Sequence, residues 1–141
     1  MKKSQLAIQK FQSYNCAQSV FVSFAKDLNL NEKTALKLAS GFGGGMACAE
    51  TCGAVTGSYL VIGLKHGHNN ADLLAKNNTK ELIKKFNKQF VAKHGSLKCK
   101  ELIGCDISTS EGQLKAKEKN AFSLFCPEFV ASACDILEED F

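Results

Sequence analysis

Apolar residues recur at spacings of three and four along most of this chain, the period of a helix rather than a strand. Between Leu6 and Leu28 the positions Ala17, Val20, Phe21, Phe24 and Leu28 form one such stripe. Asn31 is a good N-cap for a second helix, Glu32 to Ser40, with Glu32 in its first turn and Gly41 after its end. A third helix is expected from about Ala49 or Cys52 to His66, stopped by Gly67. A fourth runs from about Ala71 to His94, with Leu82, Phe86 and Phe90 as its core stripe and Gly95 as its end. Ser96 is placed to cap a short helix, Leu97 to Ile103, ended by Gly104. Ser108-Thr109-Ser110-Glu111 has the form of a fresh helix start, although Gly112 weakens it. Pro127 suits the first position of a last helix running to about Glu139, because the N–H it lacks has no partner there. No stretch alternates with period two for long enough to make a strand, and no repeat, low-complexity tract or linker interrupts the pattern. The expectation is an all-α fold: one domain over residues 1–141, a bundle of about five to six helices.

Glycines add detail. Ala49, Gly53 and Gly57 lie four apart in the third helix, and Val61 continues the row. They make a smooth strip where another backbone can come close. Gly41-Phe42-Gly43-Gly44-Gly45 gives a connection with several positions free to take positive φ. Such a run can present backbone N–H groups as an anion nest aimed at a following sulfur. It could equally cradle a phosphate, but no Gly-Lys-Ser/Thr follows and the P-loop reading is weak. A plain turn with tight helix packing explains the same glycines.

Composition narrows the class. With 45% hydrophobic and 23% charged residues, the 141-residue chain has globular composition. No apolar run approaches the roughly 18 residues that a membrane helix requires. Gln5, Gln9 and Lys10 break the start as a signal peptide, so a soluble, cytoplasmic chain without direct membrane insertion is expected. All 18 basic residues are lysine, and the net charge is +4. Without arginine the bidentate fork to phosphate and guanine is missing, which speaks against a nucleic-acid partner. Lys76, Lys80, Lys84 and Lys88 make a stripe at spacing four, read as a solvated face or as a docking face for an acidic redox partner. His66, His68 and His94 lie at helix ends, where capping explains them better than metal binding.

Seven cysteines are the unusual feature, and an odd number excludes complete internal pairing. In a reducing compartment extra cysteines point to redox chemistry or metal binding. No CxxC pair occurs. Cys52 lies close to the expected start of the third helix, Cys99 in the first turn after the Ser96 cap, and Cys126 at the cap position before Pro127. A helix start stabilises a thiolate, which is both nucleophile and metal ligand. Cys16 is expected inside the first helix with no helix-start effect, suiting a resolving thiol or a fourth ligand. Each cysteine alone could be a small buried hydrophobe.

Five segments taken in order carry a family likeness: Asn15-Cys16-Ala17-Gln18, Ala39 to Met46, Thr51-Cys52-Gly53-Ala54-Val55-Thr56-Gly57, Ser96 to Gly104, and Cys126-Pro127-Glu128-Phe129-Val130. Their order resembles the small bacterial redox-active proteins named for a C–GCAxxG–C–C pattern, over nearly the whole chain. Thr51 stands where the family label writes glycine. The resemblance implies a mostly helical domain whose four characteristic cysteines, here Cys16, Cys52, Cys99 and Cys126, act in redox chemistry. Cys48, Cys105 and Cys134 lie outside the pattern.

The leading reading is a thiol-based redox protein, with enzymatic turnover left open. Cys52 or Cys126 attacks an oxidised partner protein and a second cysteine resolves the mixed disulfide. The alternative is a metal-binding protein in which the same four cysteines, Cys16, Cys52, Cys99 and Cys126, hold zinc or an iron–sulfur cluster. A third reading is a helical interaction module with incidental thiols. A homodimer is compatible with all three.

Overall fold

A computed structural model describes residues 1–141. Eight α-helices account for most of the chain, in the order α1 (Lys3–Phe11), α2 (Cys16–Ala25), α3 (Glu32–Ala39), α4 (Gly53–His66), α5 (Leu73–His94), α6 (Cys99–Ile103), α7 (Ser110–Glu118) and α8 (Ala121–Asp140). There is no strand, and the architecture is all-α as expected. Eight helices replace the five to six read from the sequence. No helix is long and apolar enough to cross a membrane.

The largest difference is at the beginning. The expected helix from Leu6 to Leu28 is two helices, with a break from Gln12 to Asn15 and a 3-10 turn, Lys26–Leu28, at the end. The cause is a capping box. Asn15 Oδ1 accepts the Gln18 N–H at 2.8 Å, and Gln18 Oε1 accepts the Asn15 N–H at 3.1 Å. That reciprocal pair satisfies two donors and starts a new helix at Cys16. At the other end, α8 begins at Ala121, so Pro127 lies inside it rather than at its first position. The lost N–H would have bonded the carbonyl of Ser123, an exposed residue whose backbone can turn to water. The helix after Ser96 starts at Cys99 with Lys98 as N-cap, and Ala49 lies outside α4 with φ 59°.

Two pairings organise the bundle: α2 on α4, and α1 on α8. The α2–α4 contact is close because Gly57 lacks a side chain; a Cβ there would fall 2.7 Å from the Ala17 carbonyl oxygen. Ser19, Ser23 and Ser58 are buried in these helices, and each hydroxyl donates to a carbonyl one turn earlier at 2.7 Å. Their polar atoms are therefore matched without reaching across the interface. The long α5 covers the opposite side with Phe86 and Phe90, both fully buried and stacked at 6.1 Å. All the buried apolar residues except Ala49 form one continuous cluster that includes Cys16, Cys52, Cys99 and Cys126.

Between α3 and α4 the chain makes a left-handed turn. Gly44, Gly45, Met46 and Ala47 have φ of 63°, 61°, 60° and 60°. Left-handed backbone costs roughly 1–2 kcal/mol at each non-glycine residue, so Met46, Ala47 and Ala49 are held there by the backbone bonds of Glu50 and its neighbours. Glu50 N–H donates to the Gly45 carbonyl at 3.1 Å. Thr51 then forms an antiparallel bridge with Lys98, in which Cys52 N–H donates to Leu97 O at 2.7 Å and Cys99 N–H to Glu50 O at 2.6 Å. This bridge sets the starts of α4 and α6 side by side.

Candidate functional site

Cys16 is the first residue of α2, placed by the Asn15 cap. The same Asn15 donates from Nδ2 to the Ser40 carbonyl at 3.1 Å, tying the segment after α3 to the start of α2. Gly43 lies flat against Asn15; a Cβ on it would fall 2.5 Å from Asn15 Cβ. That seating brings the Gly44 N–H to Cys16 Sγ. Cys52 is the N-cap of α4 and lies against Cys16 where Gly53 leaves room. Cys99 is the first residue of α6, tied to Cys52 through the bridge. Cys126 comes from one turn and a half into α8.

These four thiols line one cavity of about 350 Å³. Aromatic residues from α1 and α8, Phe11, Phe122 and Phe129, complete much of its wall. The four cysteines are 6–8% exposed, whereas Cys134 is fully buried. Small reagents therefore reach the former and not the latter. All seven cysteines are free thiols. Cys48 is exposed on the left-handed turn, while Cys105 and Cys134 are buried away from the cavity wall.

Electrostatics separates the four. The Cys16 thiol is held down at about 6, first by the hydrogen bond that Cys52 donates to it. Burial opposes this, and the N–H groups of Gly44, Ala17 and Cys16 itself reinforce it. Cys52 is pushed well above its usual range because its proton bridges the pair, with burial and the Cys16 charge adding to the effect. Three N–H groups lower Cys16, whereas only that of Ala54 lowers Cys52. Burial pushes Cys99 up to about 11 and Cys126 to about 12, with the Cys16 charge adding to both.

This reverses the electrostatic expectation from sequence. Helix-start reasoning favours Cys52 and Cys126 as thiolates, yet both are raised. Cys126 lies mid-helix, far from the N–H groups of a helix start, because Pro127 does not begin α8. Cys16, expected within a continuous helix, is at a helix start. The glycine run directs its N–H donor toward Cys16 rather than toward the sulfur that comes after it in sequence. The signal for this is Asn15-x-x-Gln18, a capping-box spacing.

The metal reading meets a geometric obstacle. The four thiols share a wall, but no three His, Cys, Asp or Glu side chains are grouped to hold one ion. Tetrahedral thiolate ligation requires sulfurs about 2.3 Å from a common centre, and the residues as arranged do not fit such a cage. The histidines stand apart. His66 Nε2 meets the Phe141 carbonyl oxygen at 2.9 Å and His68 Nδ1 that of Asn70 at 2.8 Å. His94 packs its ring against Phe90 and Phe129 instead of capping α5.

A family model described as "Putative redox-active protein (C_GCAxxG_C_C)" matches residues 14–140. No curated protein and no solved structure matches the chain.

Proposed function

The chain belongs to the C–GCAxxG–C–C family of redox-active proteins, and from that premise we propose that it performs dithiol–disulfide exchange with Cys16 as attacking thiolate and Cys52 as resolving thiol. The observation that carries this reading is the seating of Cys16 Sγ against Gly53, which sets Cys16 beside Cys52 at the paired starts of α2 and α4. At neutral pH, Cys16 is charged and Cys52 keeps its proton. The thiolate is the nucleophile in exchange, and a thiol with a pKa near ambient pH combines charge with nucleophilicity. Once Cys16 has attacked a substrate disulfide, Cys52 is the nearest group able to displace the bound half. Cys99 and Cys126, held protonated, keep the cavity wall reduced and uncharged while the first pair reacts.

The test is brief exposure to substoichiometric iodoacetamide near neutral pH, then peptide mass spectrometry. Label should appear first at Cys16 among the four cavity thiols. Mild oxidation should give a Cys16–Cys52 disulfide, absent in Cys16→Ser. First labelling at Cys52 or Cys126, or an oxidised product lacking Cys16, would reject the assignment.

A further inference from the structure

The wall of the thiol cavity carries no lysine, histidine, aspartate or glutamate. Its aromatic lining is Phe11, Tyr14, Phe122 and Phe129, joined by Leu102 and Ile103. Asn15 is the one amide, and both ends of it are occupied: Oδ1 by Gln18 N–H and Nδ2 by the Ser40 carbonyl. An anionic ligand entering here would lose its hydration and meet only the like charge of the Cys16 thiolate, and a cationic one would exchange its hydration for that single, already hydrogen-bonded sulfur. Burying an unpaired charge is costly, whereas an apolar group of the right size gains by leaving water. The volume of about 350 Å³ lies at the small end of ligand cavities. We propose that this cavity takes an uncharged, apolar low-molecular-weight disulfide as substrate, in preference to charged disulfides such as oxidised glutathione. The proposal rests on the Cys16–Cys52 reading above.

The exchange balances in atoms and electrons. Cys16 thiolate attacks one sulfur of R–S–S–R; a Cys16–S–R bond forms and the substrate S–S bond breaks. The departing R–S⁻ takes the proton of Cys52 and leaves as R–SH. The Cys52 thiolate so generated attacks Cys16 Sγ, forming the Cys16–Cys52 disulfide and releasing the second R–S⁻, which is protonated by solvent. The protein pair is oxidised by two electrons and the substrate is reduced to two thiols. This oxidative half-reaction needs no other reactant.

The probes are three methanethiosulfonates with different arms: benzyl (neutral), sulfonatoethyl (anionic) and trimethylammonioethyl (cationic). Exposed Cys48 serves as reference within the same molecule. The ratio of modification at the Cys16–Cys52 pair to that at Cys48 is read by peptide mass spectrometry under single-turnover conditions. The benzyl reagent should give a ratio about tenfold or more above either charged reagent. Dibenzyl disulfide should likewise oxidise the pair faster than oxidised glutathione. Phe122→Asp, at an exposed position in the first turn of α8 where an acidic residue suits the helix, should lower the benzyl ratio and raise the cationic one. Equal ratios for the three arms would overturn the substrate class and leave the Cys16 assignment standing. Modification confined to Cys48 and other thiols, with the Cys16–Cys52 pair inert to all three, would overturn both.

Discussion

Gly53 and Cys16 fit together only because Gly53 has no side chain: a Cβ there would fall far inside van der Waals contact with Cys16 Sγ and 3.1 Å from the Ala17 nitrogen. The glycine of the central motif thus serves a thiol on a different helix, not the thiol beside it in sequence.

Gly53→Ala separates two opposing effects. Helix propensity alone would stabilise the protein by up to about 1 kcal/mol, whereas overpacking costs roughly 1–3 kcal/mol. Net destabilisation in urea is expected, together with a rise in the Cys16 pKa as the sulfur is displaced from the Gly44 N–H. Gly63→Ala is the control, since nothing lies within 4 Å of its added methyl; it should be neutral or stabilising. A Gly53→Ala protein behaving like the Gly63 variant would remove the close-contact argument.

Alkylation of Cys16 should titrate with a midpoint of about 6, rising with pH as thiolate forms and levelling above it. Cys52→Ala removes the largest cause of the lowered value and leaves burial unopposed by that bond, so the midpoint should move up by about one unit or more. Cys52→Ser keeps a donor and should move it less. Linkage gives the matching stability effect: with an unfolded value of about 8.5, the Cys16 thiolate stabilises the fold above that pH. This contribution is lost as pH falls through about 6. The Cys52 contribution has the opposite sign, present below the unfolded value and lost as pH rises through its raised folded value. Chemical denaturation at stepped pH values, compared between wild type and Cys16→Ala, checks the acid limb.

Asn15→Ala removes the cap of α2 and the bond to Ser40. A loss of about 1 kcal/mol is expected from the cap alone. The thiolate should also weaken, because the segment that brings Gly44 to Cys16 is no longer tied down. Asn15→Asp keeps the cap but loses the amide donor to Ser40 and adds a negative charge beside the sulfur, so it should raise the Cys16 midpoint with a smaller loss of stability. Thermal unfolding and the alkylation pH profile read the two effects independently.

Ala47 is exposed and left-handed. Ala47→Gly relieves about 1–2 kcal/mol of backbone strain and adds roughly 0.4–1 kcal/mol of unfolded-state entropy to be lost. The variant should be neutral or more stable by up to about 1 kcal/mol, contrary to the usual direction of an alanine-to-glycine change. Destabilisation by more than about 1 kcal/mol in a denaturant titration would show that the turn is not strained.

Local signals make several elements legible. Asn31 caps α3 by accepting the Thr34 N–H, and Gly67 and Gly95 stop α4 and α5 where the periodic pattern ends. Gly53 and Gly57 of α4 do mark a close approach, with α2 as the partner. The break before Cys16 is hidden, because apolar periodicity resumes across Gln12–Asn15; only the Asn15–Gln18 spacing betrays it. Pro127 misleads for a similar reason: a proline that suits a first turn is also tolerated inside a helix whose freed carbonyl faces water. The resemblance names the four cysteines, but their common cavity depends on pairings between segments far apart in sequence, above all Thr51 with Lys98. The ordering of their acidities depends on which sulfur the Gly44 N–H meets, a matter of fold rather than spacing.

The Thr51–Lys98 bridge also makes the site observable without a substrate. Its two hydrogen bonds are donated by the amides of Cys52 and Cys99, residues whose own sulfurs line the cavity. Deuterium uptake at these two amides therefore reports whether the clasp is shut, and correlated exchange of both would reveal α4 and α6 parting together. Since α4 carries Cys52 and α6 carries Cys99, such an opening would widen the cavity and separate these two sulfurs in a single motion, making amide protection a direct gauge of how often the thiols meet.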